Sequence, residues 1–193
     1  MTAPRRRPAR ERLLNAADDL MFVDGVVLTP VDVILRRAGA SPATLYANFG
    51  NKDGLVAAAL ERRLQEWTRA WDRAIADADS PGGRLLSIFP ALSSYQHERL
   101  NERWCAFSGT TAATNRPSEA VTAVLRAEDE LLRRRLLTYA SELVGRERGQ
   151  ALADQVLVAY FGALTGMLRG DQDRAIRQSH EVARTLVALA VGE

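Results

Sequence analysis

Two short stretches follow one another at residues 29–39 and 41–50, each opened by a hydroxyl residue before a proline and each closed by a glycine. A proline with its fixed φ and missing N–H suits the first position of a helix, and a glycine just past the end supplies a left-handed stop. Each stretch is therefore predicted as a helix of only about two turns, with Thr29 and Ser41 as N-caps and Pro30 and Pro42 at the first helical positions. Asp32 falls where a carboxylate reaches back to the first cap. Val31, Ile34, Leu35 and Ala38 make the buried stripe of one helix, and Leu45 with Phe49 that of the other. At about 100° per residue, Ala43, Thr44 and Ala47 then point away from the core, with Tyr46 and Asn48 on the flanks. Helices this short cannot bury enough surface alone, so they must lean on longer neighbours.

The neighbours are legible. Leu13, Ala17 and Leu20 recur at helical spacing from Arg10, with Leu14 and Met21 alongside and Gly25 as a stop. Asn51 can cap a fourth helix running to about residue 78. "ADADSPGG" at 76–83 is the clearest break, and five helical segments follow it. The first carries Leu85, Phe89, Leu92 and Tyr95, with Pro90 expected as a kink or break. A short helix is read in "RWCAFSGTTAATN", then longer ones at 118–144, 150–169 and 173–191. Leu and Ala dominate and β-branched runs are short, so the predicted fold is all-α. The organisation expected is a basic arm at 1–9 and a domain of short helices at 10–56, joined by a long helix 4 to a helical domain at 57–193.

Composition excludes more than it assigns. The chain has 193 residues and a net charge of +2, so no strong global field draws it to nucleic acid or membrane. Positive charge is instead concentrated at the start, with Arg5, Arg6, Arg7, Arg10 and Arg12 against Glu11. That segment is read either as a solubilising tail or as an arm touching phosphate. One cysteine, Cys105, excludes an internal disulfide. The longest uncharged apolar run, residues 156–168, falls short of the roughly 18 residues of a membrane span. A soluble, cytoplasmic protein is expected. Two histidines, His97 and His180, sit in separate segments, with no metal-ligand spacing, no Gly-rich phosphate loop and no nucleophile motif. No enzyme, cofactor or metal is expected.

Two short helices joined by a glycine turn form a helix-turn-helix, whose second helix offers its outer face to the major groove. Short side chains suit that role. Ala43 and Ala47 can lie against thymine methyls, and Thr44 and Asn48 can bond base edges. The helix N-terminus at Ser41 to Ala43, with Pro42 at its first position, offers free N–H groups to phosphate. Tyr46 and Lys52, the only lysine of the chain, can grip the backbone. The bland reading of the same residues is a capped helix pair with a tyrosine packed beside a phenylalanine.

"RLLNAADDLMFVDGVVLTPVDVILRRAGASPATLYANFGNKDGL", residues 12–55, resembles the N-terminal domain of the tetracycline-repressor-like (TetR) family. The shared pattern is a first helix ending in Phe and Gly, a Thr before the second helix, Ala-Gly at its end, then S-x-x-T-L-Y-x-x-F-x-x-K-x-x-L. Ser41, Thr44, Leu45, Tyr46, Phe49, Lys52 and Leu55 match it. The first helix here ends F-x-x-G rather than F-x-x-x-G, Asn48 stands where many members have His, and Val26 where many have an aromatic. The resemblance implies that Thr29, Ser41, Thr44, Tyr46 and Lys52 contact DNA. It also implies that the remainder binds a small molecule and dimerises, and that the chain is a repressor released from a palindromic operator by its ligand.

The rest of the sequence supports those last implications less sharply. "VLVAYFGALTGML" at 156–168 is apolar all around a helix, so one side can face its own core and the other a second copy. Tyr160, Gly162, Ala163, Gly166 and Met167, with Ala183, Leu186 and Ala190 of the final helix, are the expected interface of a homodimer. Trp67, Trp71, Phe89, Tyr95, Trp104, Phe107 and Tyr139 could line a pocket for an apolar or aromatic effector, although most such residues are core. Glu128 falls on the stripe of Leu125 and Leu132, as a polar pocket group or a rim residue. A DNA-binding dimer with a filled, ligand-blind core is the competing reading.

Overall fold

The structure is a computed structural model that describes residues 8–24, 29–98 and 105–192. Among them are ten helices and no strand: α1 Ala9–Asp24, α2 Val31–Ala38, α3 Pro42–Phe49, α4 Lys52–Ala76, α5 Pro81–Leu86, α6 Ile88–Glu98, α7 Ala106–Ala113, α8 Glu119–Val144, α9 Arg146–Met167 and α10 Gln172–Gly192. The fold is all-α, as the leucine and alanine periodicity predicted. No described helix is long and apolar enough to cross a membrane. Arg5, Arg6, Arg7, Gly25, Val26 and Trp104 lie outside the described residues.

The chain divides into two compact units. The first holds α1 to α3, α4 as far as Arg63, α7 and α8 as far as Arg126. Its core is the stripe of Leu13, Ala17 and Met21 from α1 with Ile34, Leu45, Leu55 and Leu60, all fully buried or nearly so. A polar clamp crosses this core. The buried Asp18 carboxylate accepts from Arg62 and from Arg63 Nε at 3.0 Å. Arg62 also donates to Asn15 Oδ1 at 2.7 Å and to the Leu14 carbonyl at 2.8 Å. Arg63, itself buried, lays its guanidinium 4.8 Å from the centre of the Phe22 ring. A buried arginine is tolerated only when its charge and donors are matched, so this set ties α1 to α4 in one arrangement.

The second unit comprises the rest of α4 with α5 and α6, and α8 from Ala127 with α9 and α10. Close approach is built into the turn from α8 to α9. A side chain at Gly149 would meet Ser141 Cα at 2.8 Å, so the two helices leave Gly145 packed backbone against backbone. Trp71 is fully buried and donates its Nε1–H to Ser87 Oγ at 2.9 Å.

One local expectation is met and one corrected. The segment carrying Pro90 is broken at Ser87, between α5 and α6, and Pro90 falls in the first turn of α6, where its missing N–H is unneeded. Thr29 does not cap α2. Pro30 occupies the N-cap with an extended backbone and no side-chain cap bond, and Val31 is the first helical residue.

Candidate nucleic-acid interface

α3 is built as its sequence directs. Ser41 is the N-cap, its hydroxyl accepting from the Thr44 N–H at 3.2 Å and lying 2.8 Å from Thr44 Oγ1. Pro42 opens the helix, and Gly50, at φ 75°, ends it with its N–H on the Tyr46 carbonyl. Leu45 is 1% exposed and anchors the inner face. Pro42, Ala43, Tyr46, Ala47 and Asn48 are exposed, and Thr44 is half-buried. Tyr46, at 63% exposure, is a large aromatic held out in solvent. The outer face is small, uncharged and studded with hydroxyl and amide groups. Asn48 Nδ2 donates to the Thr44 carbonyl at 2.8 Å, which leaves its Oδ1 turned outward as an acceptor.

The turn before α3 is equally determined. Gly39 has φ 57° and ψ 46°, the left-handed conformation that ends α2, and its N–H and that of Ala40 close on the Arg36 and Leu35 carbonyls. Arg12 then reaches from α1 to satisfy the carbonyls of Ala38 at 2.9 Å and Gly39 at 3.1 Å. Arg10 places its guanidinium 5.3 Å from the centre of the half-buried Phe49 ring. Two arginines of the basic N-terminal segment therefore brace the helix pair. Their roles were hidden in the sequence because a charge run carries no sign of which charges turn inward.

Gly54 is a further residue that the sequence reading passed over. A Cβ there would lie 1.9 Å from the Phe49 carbonyl oxygen, so only glycine lets the first turn of α4 sit against the end of α3. Asn51 caps that turn, accepting the Gly54 N–H at 2.8 Å. The glycine in "NKDGL" was a usable signal, since a glycine inside a helix start marks a close backbone approach.

Thr29 and Lys52 are brought together. Thr29 is 3% exposed, its hydroxyl turned toward the Leu20 carbonyl at 3.5 Å. Its carbonyl accepts from Lys52 Nζ at 2.7 Å. Burial lowers the Lys52 pKa, partly offset by Asp53. Lys52 is thus a fastening between the leader of α2 and the start of α4, with two further N–H donors on the ammonium.

In the second unit the expected clusters are regrouped. Trp67, Trp71 and Tyr95 do meet, with ring centres 5.7–5.8 Å apart, and Tyr160 joins them by stacking on Trp67 at 6.0 Å. Phe89 stacks on His180 instead, at 5.1 Å and 12°. Phe107 is buried in the first unit, and Tyr139 is a half-buried residue of α8. An open groove of about 520 Å³ is lined by Arg73, Asp77, Ser87, Ser94, His180 and Arg184, and by none of the expected aromatics. The expected interface is also redrawn. Tyr160, Ala163, Met167 and Ala183 are buried inside the chain. Gly162 and Gly166 face α10, a Cβ on Gly166 meeting Ala175 Cβ at 2.9 Å. Leu186 and Ala190 are half-buried. The large apolar side chains left outside in this unit, among the described residues, are Val158 and Phe161 of α9, Leu168 at its C-cap, and Val182, Leu189 and Val191 of α10. Helical periodicity counted the apolar positions correctly but did not say which side of α9 its own chain covers.

Comparison with known proteins points the same way as α3. Residues 13–59 match the family described as bacterial regulatory proteins, tetR family. The HTH-type transcriptional regulator BetI of Brucella suis is 26% identical over 145 residues, covering 75% of this chain and 72% of its own. An uncharacterized HTH-type regulator of Bacillus subtilis, YvkB, is 41% identical over 56 residues, 29% of this chain and 30% of its own. Among solved structures, a TetR-family transcriptional regulator from Streptomyces coelicolor superposes with a TM-score of 0.84 at 19% identity, over 95% of this chain and 96% of that one. A second, described as a putative tetr-transcriptional regulator from Streptomyces avermitilis, gives 0.80 at 26% identity, over 95% and 98%.

Proposed function

We infer that this chain, which belongs to the TetR family of DNA-binding transcriptional regulators, acts as a homodimeric repressor that a small molecule releases from a palindromic operator. The observation that carries the DNA-binding part is the outer face of α3. A capped two-turn helix exposes Ala43, Tyr46, Ala47 and Asn48 and buries Leu45 behind them. Short side chains let such a helix enter the major groove. Asn48 and Thr44 read base edges, Ala43 and Ala47 contact thymine methyls, and Tyr46 and the N–H groups of Ser41 and Ala43 at the helix N-terminus hold phosphate.

The exposed row of Val158, Phe161, Leu168, Val182 and Leu189 supports a dimer, because a monomer in water would leave these apolar groups wet. α9 and α10 of two copies would form a four-helix interface about a two-fold axis. Release by a ligand is supported by α4, which runs unbroken from Lys52 to Ala76. The same helix carries Lys52 in its first turn and Trp67 and Trp71 toward its end. A coupling of about 3 kcal/mol weakens operator binding roughly 150-fold, enough for a genetic switch.

Selection of the full chain on randomised duplexes tests the reading. It should return an inverted repeat with half-sites about one helical turn, roughly 34–36 Å, apart. Enrichment of no symmetric motif would overturn it.

A further inference from the structure

α3, with the sequence PATLYANF, carries no charged residue, yet the duplex it would enter presents one negative charge for roughly every 1.7 Å of axis. Cations that hold such a helix in place must come from its neighbours, and most of those are already committed. Arg36 is paired with Asp32 at 2.7 Å and Arg37 with Asp19 at 2.8 Å. Arg62 and Arg63 close on Asp18. Arg12 donates to the Ala38 and Gly39 carbonyls, and Lys52 gives one of its N–H groups to Thr29.

Arg10 differs from all of these. It is exposed in the first turn of α1, and among the described residues it makes no hydrogen bond and no ion pair. Its contact is with Phe49, the last residue of α3, whose ring centre lies 5.3 Å from its guanidinium carbon. A guanidinium lying over a ring spends its face there and keeps its N–H donors, which point outward in its own plane. The ring also restrains a side chain that would otherwise sample many rotamers, so less freedom is lost when those donors are used. Placement matters as much as charge. α3 has eight residues and is about 12 Å long, close to the roughly 12 Å width of the major groove, so a group at either end stands within reach of a backbone wall. The N–H groups of Ser41 and Ala43 mark one end of α3. Arg10 marks the other, on the residue that follows Asn48.

We propose that Arg10 is a backbone anchor of the DNA complex: its guanidinium, seated on the Phe49 ring, donates to a phosphate at the end of α3 opposite Ser41. The contact rests on the reading above in which α3 enters the major groove. It adds affinity and fixes register without reading a base.

Salt titrations of duplex binding by the full chain test the anchor. Arg10→Gln should weaken binding to the selected operator and to an unrelated duplex by the same factor and leave the selected motif unchanged. Its plot of log affinity against log salt should be shallower by about 0.9 per half-site. Arg10→Lys, which keeps the charge, should restore most of that slope. Arg177→Gln removes the same charge from an exposed position of α10 and should keep the wild-type slope. Replacing operator phosphates one at a time by neutral methylphosphonates should find a position in each half-site that weakens the wild type but not Arg10→Gln. A wild-type slope in Arg10→Gln, an equal loss of slope in Arg177→Gln, or a scan with no phosphate that the Gln variant ignores would each overturn the anchor. Should Arg10→Gln fail to fold, Arg10→Met, whose stem still covers the ring, takes its place. Operator binding indifferent to every substitution on the outer face of α3 refutes the groove reading, whereas a preserved need for α3 with an unchanged Arg10→Gln slope refutes the anchor alone.

Discussion

Lys52 Nζ donates to the carbonyl oxygen of Thr29 at 2.7 Å, joining residues 23 positions apart across the helix pair. The bond holds the leader of α2 against the first turn of α4, and with it the angle at which α3 is presented. Lys52→Ala should therefore do two things. It should lower stability by roughly 1–2 kcal/mol in urea denaturation, because a charge-assisted bond is lost. It should also weaken binding to all DNA sequences alike, with a salt slope shallower by about one where the ammonium also meets a phosphate. A variant as stable as the wild type would contradict the fastening role.

Substitutions on the outer face of α3 should leave stability alone and change recognition. Asn48→Ala should relax base preference at one position of each half-site, by about 1–3 kcal/mol if the contact is bidentate. Tyr46→Phe should lower affinity without altering the selected motif. An unchanged motif from the Asn48 variant in randomised-site selection would remove that residue from base reading.

Gly54→Ala should be far more damaging than its chemistry suggests. The added methyl would need to occupy the space of the Phe49 carbonyl oxygen, 1.9 Å away. Backbone must move to admit it, so a loss of at least about 2 kcal/mol is expected. Thermal melting and operator titration should fail together. Wild-type melting of the Gly54→Ala variant would mean that α3 and α4 pack less closely than described.

Charges placed on the outer row of α9 and α10 should split the dimer. Phe161→Arg and Leu189→Glu remove exposed apolar groups without touching the interior and should give folded monomers in light scattering. Gly166→Arg, by contrast, collides with Ala175 on α10 and should unfold the second unit rather than release an intact monomer. If Phe161→Arg remained dimeric at micromolar concentration, the interface would have to lie elsewhere.

Glu128 should give the protein a pH-dependent weakness. Its pKa is raised from 4.5 to about 7 in the folded chain, so folded protein binds the proton more tightly than unfolded. Stability then falls as pH rises from about 4.5 to about 7 and stays low above that, by an upper limit of about 3 kcal/mol. Glu128→Gln should flatten that slope, melting higher than the wild type at pH about 8 and close to it at pH about 4.5. A wild type whose stability does not differ from that of the Gln variant at the higher pH would show the carboxyl to be solvated.

The sequence by itself determined α3. Ser41, Pro42, Leu45 and Gly50 specify α3 through capping, φ restriction, a single buried residue and a left-handed stop, all of them local effects that act within one or two turns. Periodicity likewise determined that the chain is all-α and that residues 156–168 are apolar all around a helix. Tertiary structure alone decided what each face touches. It turned Thr29 inward and gave its carbonyl to Lys52, brought Arg12 from α1 onto the end of α2, and made Gly54 indispensable through an oxygen five residues earlier. It also moved Tyr160 from the expected interface to the ring of Trp67 and left Val158, Phe161 and Leu189 outside. The reason is physical: capping and periodicity are read along the chain, whereas burial is settled by which helix arrives against which, and a row of apolar residues is equally content with its own chain or a second copy.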